Sequence, residues 1–462
     1  MSGRRKNSAL LPLIVTAVLV SASWMAMSAQ APAGRAGAPP APAGGGGGIG
    51  TSAPRGNGGP CVTNGRPGGT PCMQNPYVDR TLQNEGMSSN PVRYLQQLLG
   101  SYGPINLANN YPNPYRRVQP WGELPANYEG QWPSPIGVEA GPDGLIYSLL
   151  RCRNNGCKGQ PQDPVVVWDK TGKLVRSFGA GATEGPHGLA VDKDNNVWIA
   201  DQNTHLVTKW SKEGKLLLTI GTKGVSSPIG GNVLYQPTDV VVDADGFVYI
   251  TESHQKMGSQ AAVGKYGPDG AFIKLLARGP VGGNLPGQLD EPHSIAIDIR
   301  GRLFISDRSN NRIQIWDREG NYIQEWRQFS RPSGIYITAD DRIFVFDSES
   351  YGFDNPGWQK GFRVGNALSG VISYYAMDAE SRDFVHSGPE GGGVDADGNV
   401  YAAVVRRMQL ERHEPATPQP TKNAAWGPYV PNPGAVPAVV VPYPATGAGA
   451  LWAPGRGGGG DQ

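Results

Sequence analysis

One short pattern returns six times along this chain and constrains its fold more than any other feature. A proline opens each copy: Pro135-Ile-Gly-Val, Pro186-His-Gly-Leu, Pro237-Thr-Asp-Val, Pro292-His-Ser-Ile, Pro332-Ser-Gly-Ile and Pro389-Glu-Gly-Gly. Successive prolines lie 51, 51, 55, 40 and 57 residues apart, which signals a repeat architecture rather than a set of unrelated domains. Each copy runs through a short apolar strand such as Leu189-Ala-Val into an acidic turn such as Asp192-Lys-Asp-Asn-Asn or Asp243-Ala-Asp-Gly. A second apolar strand follows, Val197-Trp-Ile-Ala or Leu303-Phe-Ile-Ser, then an alternating third such as Arg312-Ile-Gln-Ile-Trp, a glycine turn and a fourth. Asp-x-Asp-Gly turns join antiparallel neighbours, because Gly supplies positive φ and Asp bonds its own backbone. The distant Glu of an EF-hand is missing, so these aspartates read as turn formers rather than calcium loops. The first strands are apolar at nearly every position, as strands packed on both faces should be. Six such units predict an all-β, six-bladed β-propeller whose closed ring protects its strand edges. The sixth copy shows three clear strands up to about His413, so the fourth is expected from the N-terminal side, around Tyr115 to Trp121.

Outside the repeats the composition changes. The 66 glycines and 41 prolines are unevenly spread. Residues 31–60 and 415–462 are dominated by Gly, Pro and Ala, lack regularly spaced apolar residues and read as disordered or loosely attached tails, with a tail that wraps a surface as the alternative. At the N-terminus, Arg4-Arg5-Lys6, an apolar run from Ala9 to Val20, and the small residues Ser28 and Ala29 have the layout of a secretory signal peptide. The expected organisation is a signal peptide over 1–29, a Gly/Pro-rich linker over 30–75, an N-terminal extension over 76–130, the propeller over 131–414 and a tail over 415–462. A short helix is expected over Asn90 to Gly100 within the extension. The chain is therefore expected to be exported, periplasmic or extracellular, with an uncleaved N-terminal anchor as the one alternative contact with a membrane. The four cysteines are then expected to pair, with Cys61–Cys72 and Cys152–Cys157 as the natural local disulfides and cross-pairing or a metal site as the alternatives. A formal net charge of +2, with basic and acidic residues interleaved, argues against a nucleic-acid partner.

The residue after each repeat proline sits just ahead of the innermost strand, so all six copies crowd one mouth of the central channel. In ring order they are Ile136, His187, Thr238, His293, Ser333 and Glu390. Blades two, four and six carry potential metal ligands, while one, three and five do not. Alternate blades are related by threefold rotation, so His187, His293 and Glu390 should converge on one point. Two imidazoles and a carboxylate with an open position match a catalytic zinc set. His386, a few residues ahead of Glu390, is the alternative third ligand. His205, on a third strand, is assigned no role.

The copies Gly185-Pro-His-Gly-Leu-Ala-Val-Asp, Gln236-Pro-Thr-Asp-Val-Val-Val-Asp and Glu291-Pro-His-Ser-Ile-Ala-Ile-Asp, together with Ser306-Asp-Arg-Ser-Asn-Asn-Arg, resemble NHL repeats. Among NHL propellers they resemble the lyase domain of peptidylglycine α-amidating monooxygenase, over roughly Pro135 to Val404. That family cleaves peptidyl-α-hydroxyglycine to a peptide amide and glyoxylate with zinc held by three histidines. The resemblance makes His187 and His293 two of the ligands, puts Glu390 where the third His is expected, and puts Gly391 where the family has Asp. Arg151 matches the family's essential arginine and Arg308 its second pocket arginine. The family's catalytic tyrosine falls near His254, which can serve as base. Arg151 or Arg308 would hold a substrate carboxylate through paired hydrogen bonds; the other reading of Arg308 is an ion pair with its neighbour Asp307. The substrate expected at the channel mouth is a peptide or small molecule. Zinc is the expected ion and calcium the alternative. Two other functions stay open, a non-catalytic extracellular propeller binding protein or glycan and a metal-dependent hydrolase of lactones or small esters.

Overall fold

The computed structural model describes residues 109–430, apart from 154, 228–230, 255–260, 279–282, 351–353 and 381–387. Among the described residues 24 strands form six sheets of four. Blade one is typical: Pro135–Ala140, Ile146–Leu150, Val165–Trp168 and Leu174–Phe178 pair in chain order as an antiparallel meander. Blades two to five repeat it, beginning at Pro186, Pro237, Pro292 and Gly334. The first strands of successive blades pack on one another, and those of blades one and six also meet, so the ring is closed.

Blade six is assembled from both ends of the ring. Pro389–Val394, Val400–Val404 and Gln409–Pro415 supply three strands, and Tyr115–Val118 supplies the outermost. Tyr115 faces Pro415 and Val118 faces Arg412 in antiparallel register. The predicted closing strand is therefore present, and the ring draws on residues ahead of 131. Trp121 packs edge-on against Trp168 of blade one and Tyr401 of blade six, with ring centroids 5.8 and 4.8 Å apart.

The acidic turns behave as their sequence implies. Asp243 Oδ1 accepts the backbone N–H groups of Asp245 and Phe247 at 3.0 and 2.9 Å. Asp192, Asp298 and Asp395 repeat the arrangement. Apolar side chains between adjacent blades form six clusters, one of them joining Trp198, Ile250 and Tyr266. The inner strands crowd the axis. A Cβ at Gly188 would lie 2.5 Å from Asp239 Cα, and one at Gly391 2.6 Å from the Ile136 carbonyl oxygen.

The expectation of a loose tail from residue 415 is corrected for residues 416–430. This segment crosses the channel mouth at which the inner strands end. The Lys422 carbonyl accepts from Ala339 N–H at 2.8 Å, Trp426 Nε1 donates to the Val191 carbonyl at 2.8 Å, and Val430 N–H donates to Ile299 at 2.7 Å. Ala424 and Ala425 are buried against the inner strands of blades three to five. Small residues with available backbone groups satisfy the ends of the inner strands, which outweighs the entropy cost that composition alone suggests. The proposed signal peptide, the helix over Asn90 to Gly100, Cys61, Cys72, His386 and residues 431–462 lie outside the described residues. Among the described residues no helix is long and apolar enough to cross a membrane.

Candidate metal centre

The post-proline residue acquires its special direction from a β-bulge. In blades one, two, three, four and six the register slips at that residue: between Pro135 and Gly137, Pro186 and Gly188, Pro237 and Asp239, Pro292 and Ser294, and Pro389 and Gly391. A bulge leaves one residue outside the ladder and re-aims its side chain. The bulged residues are then tied blade to blade. His187 Nδ1 lies 2.7 Å from the Thr238 carbonyl, His293 Nδ1 2.7 Å from the Ser333 carbonyl, and Thr238 Oγ1 donates to the Pro292 carbonyl at 2.6 Å.

Those two carbonyl contacts place a proton on each Nδ1, so that in the neutral ring Nε2 carries the lone pair a metal would take. Neither Nε2 makes an aligned hydrogen bond although both histidines are buried. Glu390 Oε1 lies 3.2 Å from His293 Nε2 and 4.0 Å from His187 Nε2. Two orphaned imidazole lone pairs converging on a buried carboxylate fit a cation. The structure thus brings His187, His293 and Glu390 together as their alternation round the ring predicts.

His254 joins them. Its ring centroid lies 4.6 Å from that of His187 and 5.1 Å from that of His293, and candidate ligand atoms of all four residues lie within 4.8 Å of one another. It stands two residues beyond the second strand of blade three, Val248–Glu252. Ser253 carries the chain there with φ 89°, its N–H held by the carbonyls of Tyr235 and Gln236. Burial, with the Arg308 charge second, pushes the His254 imidazole down to about 3. Burial, then the neighbouring His293 and His254, takes His187 well below its ordinary value. Burial alone would raise Glu390, but His293, Arg151 and Arg308 hold it well below the usual carboxylate range. Two neutral imidazoles and an ionised carboxylate are the forms that ligate metals.

Arg151 and Arg308 flank the cluster. Arg308 Nη1 lies 3.7 Å from Glu390 Oε1, and its Nη2 lies 3.4 Å from His254 Nε2. The alternative pairing of Arg308 with Asp307 is corrected: Arg308 Nη2 bonds Glu291 Oε1 at 2.5 Å, while Asp307 takes Arg312 Nε at 2.7 Å. Asp307 closes its strand and Arg308 opens the following 3₁₀ turn, so consecutive residues face different neighbours. Arg308 Nε and Nη1 are buried without a hydrogen-bond partner.

Sequence reasoning missed the rest of this polar shell. Arg331 and Glu291 occupy the positions just before two repeat prolines, and Glu349 follows the second strand of blade five. Arg331 Nη2 lies 3.4 Å from Glu291 and 3.5 Å from Glu349. Burial would raise Glu349, yet Arg308 and Arg331 lower it to about 2. Deeper in the channel Glu139 and Asp239 line a pocket together with His187, His293 and Glu390. Burial pushes them up to about 8 and about 7. Their signal in the sequence was a charge inside an otherwise apolar inner strand.

Comparison with known proteins agrees with the repeat architecture. The family description "NHL repeat" matches residues 183–210 and 289–316, in blades two and four. Peptidylglycine alpha-amidating monooxygenase of Rattus norvegicus is 33% identical over 162 residues, covering 33% of this chain and 16% of the rat protein. Peptidyl-alpha-hydroxyglycine alpha-amidating lyase 1 of Drosophila melanogaster is 28% identical over 153 residues, 31% of this chain and 27% of that protein. NHL repeat-containing protein 3 of Mus musculus is 28% identical over 217 residues, 45% of this chain and 55% of its own length. The match thus spans between about a sixth and about half of these relatives. With its described residues closed into six four-stranded blades, the chain is a six-bladed β-propeller that carries NHL repeats in blades two and four and is similar, over about a third of its length, to peptidylglycine α-amidating monooxygenase and to an α-amidating lyase.

Proposed function

We propose that this propeller is a metal-dependent lyase that cleaves peptidyl-α-hydroxyglycine, or a related carbinolamide, to an amide and glyoxylate. The observation that carries the reading is the pair of orphaned Nε2 atoms on His187 and His293, facing Glu390 and His254 and flanked by arginines. His187, His293 and Glu390 would hold the ion, with His254 beside them. A bound zinc would supply Lewis acidity that lowers the pKa of the substrate hydroxyl.

The reaction asks little else of the protein. The hydroxyl proton leaves, its oxygen becomes the aldehyde oxygen of glyoxylate, the C–N bond breaks, and the amide nitrogen takes a proton. A base that accepts the first proton and returns it to the leaving nitrogen satisfies both steps. His254 is partly buried and neutral, the form of an imidazole that can accept a proton. Arg308, with Nε and Nη1 lacking hydrogen-bond partners, and Arg151 would hold the substrate carboxylate. Three arginines, Arg151, Arg308 and Arg331, balance the three carboxylates Glu291, Glu349 and Glu390. A divalent ion therefore leaves the mouth positive and suited to an anionic substrate.

Elemental analysis of the purified full chain beside its His187→Ala and His293→Ala variants tests this. About one zinc per chain, lost in both variants, is expected from a single-ion site, with glyoxylate released only by the metal-bound wild type. Absence of stoichiometric metal after refeeding would overturn the lyase reading and leave a binding module.

A further inference from the structure

Blade one, like blade six with Val404, lacks the acidic residue that ends the second strand in the other four blades. In blades two to five that strand closes on Asp201, Glu252, Asp307 and Asp347. Each carboxylate ties down the segment leading to the repeat proline of its own blade. Asp201 accepts the N–H groups of Glu184 and Gly185 at 2.6 and 3.0 Å, Glu252 that of Tyr235 at 2.6 Å, and Asp307 that of Asp290 at 2.7 Å. Asp347 takes Ser330 Oγ at 2.5 Å. Blade one has Leu150 at this place, and Ser134 Oγ, in the corresponding lead-in, is buried without a hydrogen-bond partner.

What blade one has instead is covalent. The Cys152–Cys157 disulfide closes the turn immediately after Arg151, with both cysteines buried. Cys152 and Asn155 adopt φ of 38° and 55°, left-handed values that non-glycine residues hold only when their surroundings impose them. The turn seats on blade two just ahead of His187, where Cys157 N–H donates to the Glu184 carbonyl at 3.0 Å. Arg151 is gripped from both sides: its Nε donates to the Pro186 carbonyl at 3.3 Å and its Nη1 to Asn155 Oδ1 at 3.4 Å.

We infer that the Cys152–Cys157 bridge and Asn155 are positioning residues that hold the Arg151 guanidinium at the channel mouth for a substrate carboxylate, in the place where blades two to five use an acidic strand end. The inference rests on the lyase reading of the site. An arginine side chain otherwise samples many rotamers, and freezing it beforehand improves substrate binding rather than the chemical step. The bridge touches neither the imidazoles nor Glu390, so metal binding should not depend on it.

The test uses the full chain as wild type, Cys152→Ala/Cys157→Ala and Asn155→Ala. Substrates are an acylated peptide ending in α-hydroxyglycine and its methyl ester, which lacks the carboxylate. The double variant is expected to raise KM for the acid about tenfold while kcat changes less than about threefold. KM for the ester and the metal per chain should be unchanged, and Asn155→Ala should shift KM in the same direction by less. An unchanged KM for the acid, a parallel rise for acid and ester, or joint loss of kcat and metal would each overturn the inference. Wild-type protein that releases glyoxylate from neither substrate overturns the lyase reading instead. The ¹⁵N–¹H signal of Arg151 Nε, assigned with Arg151→Lys, then decides the positioning. It should be resolved in wild type and averaged with exposed arginines in the double variant, and its persistence there would overturn the inference. If the double variant does not fold, Asn155→Ala carries the same comparison alone.

Discussion

His187 and His293 owe their metal-binding character to their surroundings more than to their identity. A bulge turns each ring to the axis, a carbonyl from the next blade fixes its tautomer, and burial keeps His187 uncharged. On this account the third position needs a donor more than a particular one. Glu390→His is therefore expected to keep about one metal per chain, whereas Glu390→Ala should weaken binding by roughly 10- to 100-fold; competition with a fluorescent chelator measures both. Gly391 is different in kind. A side chain there starts 2.6 Å from the Ile136 carbonyl oxygen, so Gly391→Asp, the family's residue, should lower the melting temperature whatever it does to the metal.

Among elements, the one that places His187 and His293 is the bulged lead-in to the inner strand, locked from behind by the acidic end of the second strand. Asp201 illustrates the lock, since its two oxygens take the N–H groups of Glu184 and Gly185 directly before Pro186 and His187. Asp201→Ala leaves both donors without that acceptor and should cost about 2 kcal/mol in denaturant unfolding. Metal affinity should fall with it, because the bulge carrying His187 loses its backing. Asp201→Ala with unchanged metal affinity would show that the bulge holds itself.

The whole ring is held shut at blade six, where Tyr115–Val118 meets Gln409–Pro415. Glu411, at this seam, lies 2.9 Å from Arg407 Nη2, 3.4 Å from Arg117 Nη1 and 3.1 Å from His413 Nε2. Arg407 in turn pairs with Asp378 of blade five at 2.6 Å. Burial would raise Glu411, but His413 and Arg407 bring it from 4.5 down to about 2. A carboxyl with a folded pKa below its unfolded one stabilises the fold above about pH 4.5, and that contribution disappears as pH falls toward 2. Glu411→Gln should therefore be less stable than wild type at neutral pH by up to about 3 kcal/mol and should show a shallower loss of stability between pH 4.5 and 2. At the far mouth, truncation after Pro415 removes Ala424, Ala425 and Trp426 from the inner-strand ends and should lower the melting temperature without removing the metal.

Six blades, the antiparallel order of their strands, the acidic turns and the N-terminal closing strand were legible in the sequence, because each rests on local chemistry repeated at a regular interval. Convergence of His187, His293 and Glu390 was legible for the same reason, since threefold placement follows from counting blades. His254 entered through resemblance, as a base; its proximity to the other imidazoles depends on the positive φ of Ser253, which no repeat announces. The Arg331–Glu291 and Arg308–Glu349 contacts join blades four and five at distances that only the closed ring sets. The segment over residues 416–430 was read as loose because its composition is poor in apolar residues, yet the ends of the inner strands of blades two, four, five and six give its backbone partners. Local pattern determined the blades and their order; which loops meet across the axis was decided by closing them into one ring.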